Sequence, residues 1–439
     1  MNQPVRTPFV ESLLASAALA QLPGSGIAWL DAARRENLEA FEAAGLPDTR
    51  VEAWKYTALR ALGQRQFAHG DANAAGRPVD LAALALPGVD GPRLVFVNGV
   101  FRADLSSSFG LPDGLSLMPL SQALQGDAES LRFALSRHYR EAGDTFARLN
   151  AALAGDGVVL RVDAGTRIAQ PVHLLFVGAP ADGDCSWHVR NVIELGEGAE
   201  LTLIEHHAST GEQGHLATLV GDIVLRDGAK LQHTLLQNAA ESGTMIRRSS
   251  LHLGARAHVM SHVLELGGAL VRHDLQAELV GDEARFDSRG VFALHGRQHV
   301  DTQLAIRHQA LNTASESIWR GVADQRARGV FRGAIVVAQG ADGSDALLSS
   351  KNLLLSGQAE IDTKPELEIY ADEVKAAHGA TVGQLDERSL FYLRSRGIPQ
   401  AEARTLLTAA FCRAVLQSMP HEALREHVSN LLLAHLPAE

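Results

Sequence analysis

Leu195-Gly-Glu-Gly-Ala-Glu-Leu201 returns along the chain as Leu225-Arg-Asp-Gly-Ala-Lys-Leu231 and Leu253-Gly-Ala-Arg-Ala-His-Val259, and less closely as Leu279-Val-Gly-Asp-Glu-Ala-Arg-Phe286. Successive starts are separated by 30, 28 and 26 residues. Each copy joins two short strand-like runs through a tight turn that carries a small residue. No long helical pattern intervenes between Val158 and about Val382. A fixed period of short strands without crossover helices suggests a β-solenoid, in which each rung buries its apolar face on the next. An antiparallel sandwich also gives short strands at regular spacing. The pattern alone leaves both open.

Composition favours a narrow aliphatic core. Hydrophobic residues make up 46% of the 439, but aromatic residues only 5%. The formal net charge is −11, and no basic run exceeds Arg34-Arg35 or Arg247-Arg248. Phosphate neutralisation needs clustered Lys and Arg, so neither a nucleic acid nor an anionic membrane surface is expected as a partner. Cys185 and Cys412 are too few for a disulfide framework or a four-thiolate cluster site. A reducing, cytoplasmic setting fits. No apolar run is long enough to span a membrane. Leu13 to Ala20 follows Glu11 and reads as part of an amphipathic first helix rather than a signal peptide.

On either side of the repeat the texture is helical. The expected organisation is an N-terminal helical region and linker over 1–92, a mixed α/β segment over 93–157, the β core over 158–385 and a C-terminal helical domain over 386–439. Ala33 to Ala44 has helical spacing and stops at Gly45. Leu94 to Val97 is a strand ended by Asn98-Gly99, a hairpin turn. Residues 119–154 return to helix, and residues 66–92 read as linker. At the far end of the repeat, Pro365 to Tyr370 alternates as a half-buried strand. Lys375 to Gly383 (KAAHGATVG) is a run of small residues carrying one histidine, His378. Asp386 is a helix N-cap, Gly397 a stop, and Pro399 a first-turn proline.

Nineteen histidines are present, most of them between His173 and His378. His206 and His207 are adjacent, so a regular strand points them to opposite faces. His258 and His262, and His295 and His299, are four apart. None has an acidic or cysteine neighbour at metal-site spacing. Cys185 lies in a polar stretch and is expected to be accessible, whereas Cys412 is expected to pack in a helix. The sequence has no GxxxxGKS/T phosphate loop, no GxGxxG and no GxSxG.

The stretch TKPELEIYADEVKAAHGATVGQLDERSLFYLRSRGI at 363–398 resembles the SufB/SufD family of iron–sulfur cluster assembly scaffolds, on its SufD side. PDTRVEAWKYT at 47–57, LVFVNGVF at 94–101, DTFARLNAAL at 144–153 and GVFRGAIVV at 329–337 agree, in order. The resemblance implies a mainly β chain: a right-handed parallel β-helix flanked by helical regions. It implies a non-enzymatic subunit that pairs with a SufB paralogue through the β-helix and with the SufC ATPase through the C-terminal helices. It also implies a homodimer in isolation. A transient iron–sulfur cluster or iron would form at the SufB–SufD interface, with His378 the candidate ligand by motif. Many relatives carry cysteine two residues before that histidine, where this chain has Ala376. The alternative from architecture alone is a β-helix polysaccharide-active enzyme, with Asp282, Glu283 and Arg285 the nearest acidic and basic candidates.

Overall fold

The computed structural model describes residues 6–70, 76–108 and 110–436. From Val158 onward the strands fall alternately into two sheets, and between the ends of the stack each pairs in parallel with the strand two before and two after it. The first sheet runs from Val158–Val162 to Glu360–Ile369 and the second from Val172–Gly178 to Val374–Gly383, making eight turns of a parallel β-helix. The antiparallel sandwich is thereby excluded for this segment.

The repeat is the corner between the two sheets. One residue there must take positive φ. Gly198 (φ 65°) and Gly228 (φ 67°) do so without strain. Later turns place Arg256, Glu283 and Asn312 in the same region, at φ 55°, 62° and 56°. This explains why the motif fades along the chain while the geometry persists. The next residue is always small and buried: Ala199, Ala229, Ala257, Ala284 and Thr313 are all 0% exposed. Asp227 and Asp282 brace the stack by accepting hydrogen bonds from the following turn, at Ala255 N (2.9 Å) and Leu311 N (3.0 Å).

Strand period sends alternate residues into the lumen, and parallel register stacks them. One inward ladder reads Leu201, Leu231, Val259, Phe286, Ser315, Ala346, Ala376. Most of its members belong to one continuous apolar core.

The two ends of the solenoid differ. At the N-terminal end, Leu115–Pro119 pairs antiparallel with Val158–Val162 and closes the first sheet. The hairpin Arg93–Val97/Val100–Phe101 closes the second, and Asn98 (φ 47°) and Gly99 (φ 79°) form its predicted turn. The helix Pro8–Leu19 forms as expected and buries Phe9, Val10 and Leu13. The helix expected over 119–154 is broken into Leu120–Gly126, Arg132–Leu135 and Thr145–Leu153. Asn150 docks the last of these by donating to the Val189 and Thr218 carbonyls, each at 3.0 Å. Residues 76–92 are not a bare linker, since Val79, Leu81 and Leu84 pack on buried Val95, Leu175 and Val177.

Gln400–Arg413 and Glu422–His435 cover the outer face of the second sheet, packing Cys412, Leu416, Val428 and Leu432 against Ile204, Leu236, Leu264 and Val291. Burial pushes the Cys412 thiol up to about 12, as a packing residue requires. Cys185 corrects the reading of an accessible thiol: it opens the strand Cys185–Leu195 and is 4% exposed. Pro399 is the N-cap of its helix rather than its first helical residue. His295 and His299 do not share a strand, because Leu294 ends one strand, His299 begins the next, and Gly296 turns between them at φ 64°.

Candidate functional site at the open end of the solenoid

Among the described residues, no further strand caps the C-terminal end. Glu360–Ile369 and Val374–Gly383 are the last strands of their sheets, and each is paired on one side only. His378 lies on the second of them. Its register partner is Leu348, which is 1% exposed in the core, so His378 occupies a lumen-facing position. In every earlier rung such a position is covered by the next. Here nothing follows, and His378 is exposed. Its imidazole makes no hydrogen bond or ion pair to any described residue. Ala376 and Ala380 flank it on the same face and add no bulk.

Several contacts hold this rung in place from outside the lumen. Lys364 binds Glu52 at 2.6 Å and Glu366 at 2.8 Å, and Arg332 donates to Glu366. The Lys364 hydrogen bond keeps the Glu52 carboxyl below its usual range. Thr57 of the same N-terminal segment donates to Asp301 at 2.5 Å. Trp54 is buried there with the Arg272 guanidinium 4.1 Å above its ring. Segment 47–57 therefore braces the last turns of the β-helix. In the final corner, Asp342 accepts from the backbone N–H groups of Asp372 and Glu373 at 3.2 and 3.3 Å.

Beyond this corner, Asp386 caps Glu387–Ser395 as predicted, accepting from Arg388 N and Ser389 N. This helix buries none of its residues. Phe391 is 72% and Tyr392 57% exposed.

Most of the other histidines have structural partners, although His173 Nε2, His188 Nε2 and His206 Nδ1 are buried without a hydrogen-bond partner. His207 faces the lumen and stacks on Phe176 at 5.0 Å, while His206 points outward and stacks on His173 at 5.7 Å, so the pair does face opposite ways. His262 bonds Ser418 and His258 bonds Asp287. Burial lowers His173 and His206 to about 3 and His262 to about 4. Among the described residues, no group of three or more His, Cys, Asp and Glu is arranged to hold a metal.

Sequence spacing missed one interior feature. Parallel stacking brings Glu205, His207, His233 and Arg247 together inside the lumen, each under 6% exposed. Arg247 pairs with Glu205 and donates to His207 Nε2 at 3.0 Å and to Ser249 Oγ at 3.0 Å. His233 lies 3.8 Å from the same carboxylate. Further along, Thr302 donates to Glu265 at 2.6 Å and His273 approaches it at 3.6 Å. Burial raises the Glu205 carboxyl, but the Arg247 charge and the His207 and His233 contacts together outweigh it and the net position is well below the usual range. Registering the repeats rung by rung would have exposed this cluster. Asp282, Glu283 and Arg285 do not form a hydrolytic groove: Asp282 braces Leu311 N, Glu283 supplies the positive-φ turn residue, and Arg285 binds Asp287 at 2.7 Å.

The family comparisons meet this geometry at both ends. The family model described as "SUF system FeS cluster assembly, SufBD core domain" matches residues 177–411, which span the solenoid beyond its first turns. The "SufBD protein N-terminal region" matches residues 16–174. The chain belongs to the SufBD family of iron–sulfur cluster assembly proteins. It is 32% identical to iron-sulfur cluster assembly protein SufD of Escherichia coli K12 over 92% of each chain. It is 30% identical to an iron-sulfur cluster assembly SufBD family protein of Synechocystis, over 87% of this chain and 85% of that one. A SufBD family protein of Mycobacterium tuberculosis is 26% identical over 90% and 89%. Among the described residues, no helix of this SufBD chain is long and apolar enough to cross a membrane.

Proposed function

We propose that this chain is a non-catalytic scaffold subunit of the SUF machinery, and that its open solenoid end pairs with a SufB-type paralogue. The cluster is cargo, formed transiently at that seam, with the His378 imidazole as the ligand from this side. The observation that carries this reading is the contrast between His378, exposed and unbonded on an uncapped rung, and the partnered histidines of the interior. Neutral imidazole binds iron, and thiolates or carboxylates of the partner would complete the coordination. With Ala376 in place of a thiol, contact from this chain rests on His378.

Unpaired strand edges favour pairing with another strand. In isolation the same edge would accept a second copy of this chain. The unburied helix Glu387–Ser395, with Phe391 and Tyr392 outward, supports docking of the SufC ATPase on the C-terminal helical region. The absence of a phosphate-loop motif agrees with ATP being handled by that partner. Two buried cysteines suit a reducing cytoplasm.

The test is anaerobic co-expression with SufB and SufC partners, followed by iron and sulfide analysis of the purified complex. Wild type should retain both. His378→Ala should give an intact complex with the cluster lost. A mutant complex that builds clusters at the normal rate overturns the ligand role.

A further inference from the structure

The open rung carries a second polar group that is not engaged. Thr363 lies on Glu360–Ile369 in register with Phe331, a 0%-exposed core residue, and so faces the lumen. Its Oγ1 is buried and has no hydrogen-bond partner. Buried hydroxyls are nearly always satisfied, because an unpaired one loses water without replacement. Some interior polar groups of this lumen obey that rule, since Thr302 donates to Glu265 and Ser288 accepts from Trp319 Nε1 at 3.0 Å, whereas Ser317 Oγ and Glu265 Oε1 are likewise buried without a hydrogen-bond partner.

Register places Thr363 on the same lumen mouth as His378, one inward position along. One turn earlier Gly333 faces Leu348 across the lumen, where a Cβ on the glycine would fall 2.3 Å from Leu348 Cδ1. Gly333 stacks under Pro365 and Leu348 under His378, so Pro365 faces His378 in the last turn. Thr363, two residues earlier, then faces Ala380. Proline and alanine offer no side-chain acceptor to the hydroxyl. The lumen-facing groups of this mouth are apolar or small except for Thr363 and His378.

We propose that Thr363 is the second polar contact of this site, its hydroxyl donating a hydrogen bond to a sulfur of the cargo whose iron His378 binds. Anionic sulfur is the acceptor that this position lacks. The inference rests on the scaffold reading above. Thr363 is a positioning residue: it orients and retains the cargo and does not bind iron.

The experiment uses the anaerobic complex with SufB and SufC partners and compares wild type, Thr363→Val, Thr363→Ser and His378→Ala. Valine keeps the shape and removes the donor, and serine restores it. The readouts are complex assembly, cluster absorption, and the rate of iron loss to an added chelator. Thr363→Val should assemble normally, show a shifted cluster absorption, and lose iron about tenfold faster, the scale of one charge-assisted hydrogen bond. Thr363→Ser should return both to wild-type values. Equal iron loss and spectra in Thr363→Val and wild type, with His378→Ala still empty, overturns the Thr363 assignment and leaves the scaffold reading standing. A Thr363→Val complex that fails to assemble, or a serine variant that does not rescue, makes Thr363 a packing residue and also overturns it. Retention of cluster in His378→Ala is the separate failure of the underlying reading.

Discussion

The middle of the solenoid and its last turn present the same residue types on the same face of the same strands, yet use them in opposite ways. In the middle, His207 and His233 are buried with Glu205 and Arg247, and the Glu205 carboxylate is matched by the Arg247 guanidinium within the lumen. In the last turn His378 is exposed and unbonded, and Thr363 keeps a buried hydroxyl unpaired. The interior groups serve the fold, because a buried charge persists only with a partner. His378 contributes little to this fold and remains available to a ligand. Position along the stack, rather than residue type, separates structural from functional histidines here.

Breaking the interior should produce the largest effect. Arg247→Met leaves Glu205 buried without its cation and should cost about 3–5 kcal/mol. Urea unfolding at neutral pH measures this, and a loss below about 1 kcal/mol would show that the lumen tolerates an unpaired carboxylate.

Acid should separate the two regions next. Burial lowers His207 to about 4 and both His173 and His206 to about 3, below the ordinary histidine value. The unfolded chain therefore binds more protons than the folded one in this range. Stability is complete above about pH 6.5 and falls as pH drops toward 4. His207 alone contributes about 3 kcal/mol to that fall. Below about 4.5, the lowered Glu205 carboxyl adds to the loss. His207→Phe should flatten the acid limb of a pH series of unfolding midpoints, and an unchanged limb would contradict the assignment.

Smaller effects track the approach to the mouth. Leu348→Ala removes the last fully buried lumen side chain before His378 and should cost about 2–4 kcal/mol by thermal or chemical unfolding. His378→Ala should change stability by no more than about 0.5 kcal/mol, as expected for an exposed side chain without partners. A large destabilisation there would mean that His378 serves the fold after all.

Much of this was legible in the chain. The LGEGAEL repeat marks a turn whose positive-φ residue and buried alanine are set by backbone sterics, so the strand period survived even where glycine became Arg256 or Glu283. Asn98-Gly99 and Asp386 act through local hydrogen bonds and were readable for the same reason. The stacking of Glu205, His233 and Arg247 was not, since they lie on different strands and meet only once the parallel register is known. Cys185 was misread because a polar neighbourhood in sequence does not reveal that the residue begins a strand covered by a helical region. His378 was found through family resemblance, whereas its exposure follows from the missing next rung. Thr363 carries no sequence signal; it stands out only when its hydroxyl is found unpaired.

The most direct test of the central claim is pulsed electron paramagnetic resonance on the assembled complex. The chain would carry ¹⁵N-labelled histidine, and the bound cluster would be reduced to a paramagnetic state. A ¹⁵N hyperfine coupling that disappears in His378→Asn is the predicted result. The absence of any histidine coupling in wild type, or a coupling that persists without His378, would contradict it.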